Sequence, residues 1–157
     1  VNGVAIGGGH VLHVLCDLTV AASHATFGQS GPRVGSFDAG FGSAYLARVV
    51  GEKRARQLWF LLDRIDAETA ERWGLVNAVV PADALLPTAL EWGRRIGSYS
   101  PTALRFLKHS FNADSDSIAG LSNIAFAGLD LFSHTAEAEE GARAFAERRP
   151  PDFRPYR

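Results

Sequence analysis

A strand that passes into a helix through three glycines, Gly7, Gly8 and Gly9, limits this chain more than any other stretch of its sequence. The run VNGVAI before them suits a buried strand, and the run HVLHVLC after them suits a short apolar helix over His10 to Cys16. Glycines at that junction have no side chain to keep a ligand away, so backbone N–H groups at the head of the helix can point at an oxyanion. The same glycines would equally allow a close helix–strand packing with no ligand involved. Downstream, Phe27 to Gly40 is too rich in Gly, Ser and Pro for a regular element and reads as an ordered loop able to aim Gln29, Ser36 and Asp38.

The rest of the chain is consistent with an α/β first part and a helical remainder. Leu18 to Ala22 reads as a second strand and LVNAVVP as a third. Leu46, Val49, Val50, Leu58 and Phe60 recur at helical spacing with a break at Gly51, which predicts two helices between Gly42 and Leu62. Asp66 is placed to cap a helix through Arg72, ended by Gly74. Four further amphipathic helices are predicted over Ala84 to Ile96, Pro101 to Phe111, Ser117 to Phe132 and Ala136 to Glu147, before a Pro-rich tail. No linker in this reading clearly separates two domains.

At 157 residues and 46% apolar the chain can bury a core of its own. A net charge of −1 with mixed signs argues against a nucleic-acid surface, and no window has the length and apolarity of a membrane span. Cys16 stands alone, so neither a disulfide framework nor a metal quartet is expected, and a reducing cytoplasm fits. His10 and His13 are three apart, but no third metal ligand is evident, and both read as structural. With no methionine, and with Val1 already inside a strand, the sequence is expected to be part of a longer chain.

VNGVAIGGGH, CDLTVAA, FGQSGPRVGSFDAGFGSAYLARVVG, GLVNAVVP, SPTALRFLKHSFNADSD and the closing RRPPDF together resemble the enoyl-CoA hydratase/isomerase (crotonase) superfamily, and within it the 1,4-dihydroxy-2-naphthoyl-CoA synthase branch. The resemblance runs over essentially the whole chain. It implies the C-terminal portion of a ββα spiral core with the active-site loop over residues 1–80, followed by a helical trimerisation and CoA-contacting region over 81–157, with self-association as a trimer or hexamer. It implies no metal, no nucleic acid and no membrane insertion. The implied reaction is an intramolecular Claisen, Dieckmann-type, condensation of o-succinylbenzoyl-CoA with loss of water, in menaquinone biosynthesis.

The resemblance also assigns residues. Gly8 matches an oxyanion-hole donor, and Val4, Ala5, Ile6, Gly7 and Gly8 match the strip that lies along the acyl-CoA thioester. Gly31 falls where related hydratases carry a catalytic glutamate, so the side-chain base is missing and a carboxylate's volume is expected to be empty. One group of synthases replaces it with bound hydrogencarbonate, and Gln29, Ser30, Gly31 and Trp59 match the positions that hold it; Ser30 also falls among the substrate contacts. An amide, an indole N–H and a backbone N–H are suitable donors to an anion. Taken singly, Trp59 in QLWFLL reads as a core aromatic and Gln29 as a loop cap.

Ser36 and Asp38 lie two apart in VGSFD and match a serine and an aspartate beside the substrate's aromatic carboxylate, as donor and proton relay; an Asx or Ser turn holding the loop is the lesser alternative. The branch carries a tyrosine that reaches a neighbouring subunit's active site from its C-terminal helix where this chain has Ser133, which by the resemblance falls among the substrate contacts as a shorter and far less acidic group. His134 beside it reads as a surface or cap residue. Arg148 matches a basic residue that reaches CoA, whereas Glu139, Glu140 and Arg143 read as a solvated face. A 2-ketocyclohexanecarboxyl-CoA hydrolase-like ring-opening enzyme and a non-catalytic acyl-CoA-binding subunit are the two rival readings.

Overall fold

The computed structural model describes all 157 residues, Val1–Arg157. Five short strands form two small sheets. In the first, β1 (Val4–Ile6) runs parallel to β3 (Thr26–Gly28), with Val4 opposite Thr26 and Ile6 opposite Gly28, and β3 pairs antiparallel with β4 (Ile65–Asp66). In the second, β2 (Val20–Ala22) runs parallel to β5 (Ala78–Val80). β1 is an edge strand, and Val4 on it is 69% exposed.

Helix α1 (Gly8–Val14) begins inside the glycine run, so only Gly7 makes the turn. Gly7 has φ +56°, a left-handed conformation that a side chain would strain. α2 (Leu46–Val50) and α3 (Glu52–Phe60) are separated at Gly51, which has φ +88°. α4 (Ala67–Arg72) is capped as its sequence predicts, the Thr69 N–H donating to Asp66 Oδ1 at 2.7 Å.

Phe27 to Gly40 departs from the expected loop. Its first residues join β3, and Gly31–Val34 form a 3-10 turn closed by Gly35 at φ +66°. Phe41–Tyr45 then wind as a π turn before α2. Strands of two and three residues are too short for alternation to register in a sequence, and a π turn has no residue pattern of its own.

The core gathers under the first sheet. Phe27, Leu46 and Leu58 are fully enclosed, with Val50, Trp59, Ile65, Leu75 and Val76 around them. Removing a Phe or Leu side chain from water stabilises by about 1.5–3 kcal/mol each, so these residues fix the first half of the chain.

The second half is helical: α5 (Leu85–Gly97), α6 (Pro101–Ala113), α7 (Asp116–Ser133) and α8 (Ala136–Ala146). α5 and α6 bury no residue within this chain. α7 packs on the π turn through buried Ile118 and Ser122, and α8 packs on the 3-10 turn through buried Ala138 and Gly141. Glu140 departs from the solvated face its sequence predicts. It is buried and accepts from Arg149 Nη1 at 2.6 Å, Arg149 Nη2 at 2.9 Å, Arg143 Nη2 at 2.7 Å and the Asp152 N–H at 2.9 Å. The Pro-rich tail is thereby tied to α8.

Candidate active site

The glycine turn and the loop after β3 meet. Gly7 donates its N–H to the Gly28 carbonyl at 3.1 Å, which closes the turn against the first sheet. A Cβ at Gly7 would lie 2.8 Å from Ser30 Oγ, so the Ser30 hydroxyl rests directly over the turn. A Cβ at Gly8 or at Gly9 would meet nothing within 4 Å. Both glycines are exposed, and as first-turn residues of α1 their N–H groups have no helical acceptor. Gly8 is therefore exposed and keeps an N–H without a helical acceptor, with Val4, Ala5 and Ile6 leading up to it along the edge strand.

Gly31 is the second focus. A Cβ there would stand 2.8 Å from the Ser36 carbonyl oxygen and 3.1 Å from the Trp59 ring edge. The carboxylate-sized volume expected from the sequence is absent, because backbone and indole already occupy the side-chain direction. The Ser36 N–H donates to the Gly31 carbonyl at 2.9 Å and ties the two ends of the 3-10 turn together. Trp59 is buried, and its indole N–H donates to the Gly42 carbonyl at 2.6 Å, so Trp59 meets Gly31 with its ring and not with its N–H.

Gln29 is 4% exposed, with its amide nitrogen 3.1 Å from His10 Nδ1 and its amide oxygen buried without a partner. His10 and His13 are both buried on α1, and burial pushes each imidazole down to about 4. Both are neutral at physiological pH. His10 Nε2 and both His13 ring nitrogens have no hydrogen-bond partner.

Asp38 accepts the Gly42 N–H at 2.8 Å and so heads the π turn. Ser122, from α7, holds the same segment. It accepts the Phe41 N–H at 3.3 Å and donates to the Ala39 carbonyl at 3.4 Å, against Gly40 at φ +86°. Phe37, Asp38 and Ala39 face Ala125, Phe126 and Leu129 of α7 across a small cleft, and the Phe37 ring packs against that of Phe132 at 5.9 Å, tilted by 46°. Ser36 and Asp38 are both half-buried.

Ser133 and Arg148 lie apart from this group. Ser133 is exposed and donates to the Asp130 carbonyl at 2.7 Å, within its own helix. Arg148 is exposed at φ +55°, past the end of α8, and forms no ion pair, while Arg149 beside it is engaged by Glu140 and Glu147. Nowhere do three or more His, Cys, Asp or Glu side chains gather so that they could hold a metal ion. No helix is long and apolar enough to cross a membrane. Sequence reasoning passed over Ser122, which reaches the loop from 81 residues away, and dismissed His10, whose only signal was its spacing from His13.

Residues 1–155 match the family model described as Enoyl-CoA hydratase/isomerase. Among solved structures, an enoyl-CoA hydratase/isomerase from Pseudoalteromonas atlantica T6c superposes with a TM-score of 0.89 at 27% identity over 98% of this chain and 62% of that one. An enoyl-CoA hydratase from Mycobacterium avium subsp. paratuberculosis K-10 gives 0.88 at 31% identity over 96% and 62%. A carnitinyl-CoA hydratase from Mycobacterium avium gives 0.84 at 28% over 98% and 60%. The chain spans about three-fifths of the length of the relatives it matches.

Proposed function

The chain belongs to the enoyl-CoA hydratase/isomerase family, with its crotonase-like α/β fold, and from that premise we propose that it serves 1,4-dihydroxy-2-naphthoyl-CoA synthase activity on o-succinylbenzoyl-CoA. The observation that carries this reading is Gly31. Ser36 and Trp59 leave no room there for a side-chain base, and the same loop carries Ser36 and Asp38 a few residues on. Hydratase chemistry that relies on a carboxylate at that position has nowhere to put it.

Gly8 N–H receives the thioester oxygen as negative charge develops on it, and one such donor supplies about 3–4 kcal/mol of differential stabilisation in comparable sites. The carbon next to the thioester, once deprotonated, attacks the carboxyl carbon of the ring. A carbon–carbon bond forms, a carbon–oxygen bond breaks and water leaves. A carboxylate is a poor electrophile, so Ser36 as hydrogen-bond donor and Asp38 as proton relay act on that group before attack.

In this reading hydrogencarbonate binds the loop outside the filled side-chain direction of Gly31, with an altered set of contacts. The end of the buried Gln29 amide without a partner carries its oxygen, so a half-turn of the amide lets Gln29 donate to the anion, and the Gly31 N–H opens a 3-10 turn and so lacks a helical acceptor, with the half-buried Ser30 between them. Trp59 contributes its ring edge alone, because Gly42 takes its N–H. Bound there, the anion would supply the base that Gly31 lacks. Arg148, unpaired and outward, suits a CoA phosphate. Self-association as a trimer or hexamer is supported by the apolar residues that the second half leaves uncovered, among them Leu86, Phe106, Phe111, Ile124 and Leu131.

The test is turnover of o-succinylbenzoyl-CoA by the whole protein with and without hydrogencarbonate, following naphthoyl product by absorbance and mass. Product that rises with hydrogencarbonate is expected. Product indifferent to it would keep the synthase and remove the anion. A folded protein that binds CoA thioester without product would replace the synthase by the 2-ketocyclohexanecarboxyl-CoA hydrolase-like ring opening or by a non-catalytic acyl-CoA-binding role.

A further inference from the structure

We propose that His10 is a positioning residue: as its Nδ1–H tautomer it donates to the side-chain oxygen of Gln29 and leaves the Gln29 amide nitrogen as the free end of that side chain. The inference rests on the anion reading of Gln29 and assigns a residue that acts through it.

His10 has no exposed surface, Gln29 is 4% exposed, and a single contact of 3.1 Å joins them. The oxygen and nitrogen of a carboxamide exchange places by a half-turn, so the positions of the heavy atoms admit two arrangements. In one, the Gln29 amide donates to a bare Nδ1, which puts the imidazole proton on Nε2. An N–H of His10 and the carbonyl oxygen of Gln29 are then both buried without partners, and His10 Nε2 and Gln29 Oε1 are indeed among the buried atoms left unpaired. The oxygen would also turn a partial negative charge toward any anion at the loop.

In the other arrangement Nδ1–H donates to the Gln29 oxygen. What is left over is a bare ring lone pair on Nε2 and an amide NH2, and an anion satisfies the second. Orphaned N–H groups are among the rarest features of protein interiors, so occupancy of the loop by an anion selects this state. His10 cannot easily turn away to another partner. Phe27 lies at 6.3 Å from its ring and His13 at 5.6 Å, both edge-on. Because His10 stands two residues after Gly8, one short helix carries both the oxyanion turn and the tie that orients Gln29.

His10→Leu removes the hydrogen-bonding atom, whereas His10→Asn keeps one at the place of Nδ1, the same number of bonds from the backbone. The hydrogencarbonate concentration for half-maximal turnover is expected to rise about tenfold in His10→Leu, to stay within about threefold of the parent in His10→Asn, and the KM for the CoA thioester to change little in either. Nitrogen-15 spectra of the unmodified protein with hydrogencarbonate should place the His10 proton on Nδ1, and Gln29→Leu should release that preference. A proton on Nε2, or an unchanged half-saturation in a folded His10→Leu protein, overturns the proposal. If the parent shows no response to hydrogencarbonate, the anion reading fails separately. The Gln29→Leu spectrum then decides whether His10 and Gln29 are tied at all, and an unchanged tautomer there overturns the tie as well.

Discussion

Trp59 has two jobs that one substitution can separate. Its N–H ends on the Gly42 carbonyl at 2.6 Å while its ring edge roofs Gly31. Trp59→Phe keeps an aromatic roof and strands a buried carbonyl at the start of the π turn, so a loss of about 1–3 kcal/mol and a lower melting temperature are expected. An unchanged melting temperature, by thermal denaturation, would mean that the Gly42 carbonyl finds another donor. This residue also marks the limit of what the sequence revealed about the site. The resemblance groups Gln29, Gly31 and Trp59, and of these the fold brings Trp59 against Gly31. Which atom of the indole faces the glycine is set by Gly42, on a turn whose π winding leaves no trace in residue type. His10 was read as structural only, since its partner Gln29 follows directly on a strand, Thr26–Gly28, too short to be read.

Among the elements, α8 is the one that a single methyl group should dislodge. It seats on the loop through Ala138 and Gly141, and a Cβ on Gly141 would run into Gly35 N and the Val34 carbonyl carbon, both backbone atoms that cannot rotate aside. Helix propensity alone favours Ala over Gly by about 1 kcal/mol. The clash reverses that sign, and Gly141→Ala is expected to cost about 1–3 kcal/mol. Turnover should fall with it, because Ser36 directly follows Gly35. A protein as stable and active as the parent would show that α8 is not a strut for the loop. The long helices were legible because many periodic residues report each of them. β3 and β4 were not, and Glu140 was misread because its burial comes from Arg149 in the tail closing over it, a contact invisible to helical periodicity.

For the molecule as a whole, acid reaches the two halves through different groups. In the first half, burial holds His10 and His13 down to about 4, whereas an unfolded histidine titrates near 6.5. The unfolded state therefore binds more protons across that interval, and the histidine contribution to stability falls as pH drops from about 6.5 to about 4 and is level above it. For His10 the shift corresponds to roughly 3 kcal/mol at most. In the second half, hydrogen bonds from Arg149, the Asp152 N–H and Arg143 hold the Glu140 carboxyl well below the usual carboxylate range. That stabilising term is complete above the unfolded carboxylate value near 4.3 and is lost only at lower pH, as the folded group itself takes a proton. The two windows hardly overlap, and the half-buried Val1 amino group, held below its usual value near 8, acts above the histidine window, so the urea midpoint measured from pH 6.5 down to pH 4.5 reports chiefly the histidines. It is expected to fall below pH 6.5, and His13→Leu, with one titrating imidazole fewer, should lessen the slope. A midpoint flat to pH 4.5 would mean that both imidazoles take up protons inside the fold, and the apolar enclosure of α1 against Phe27 would then be the part of the structure to abandon.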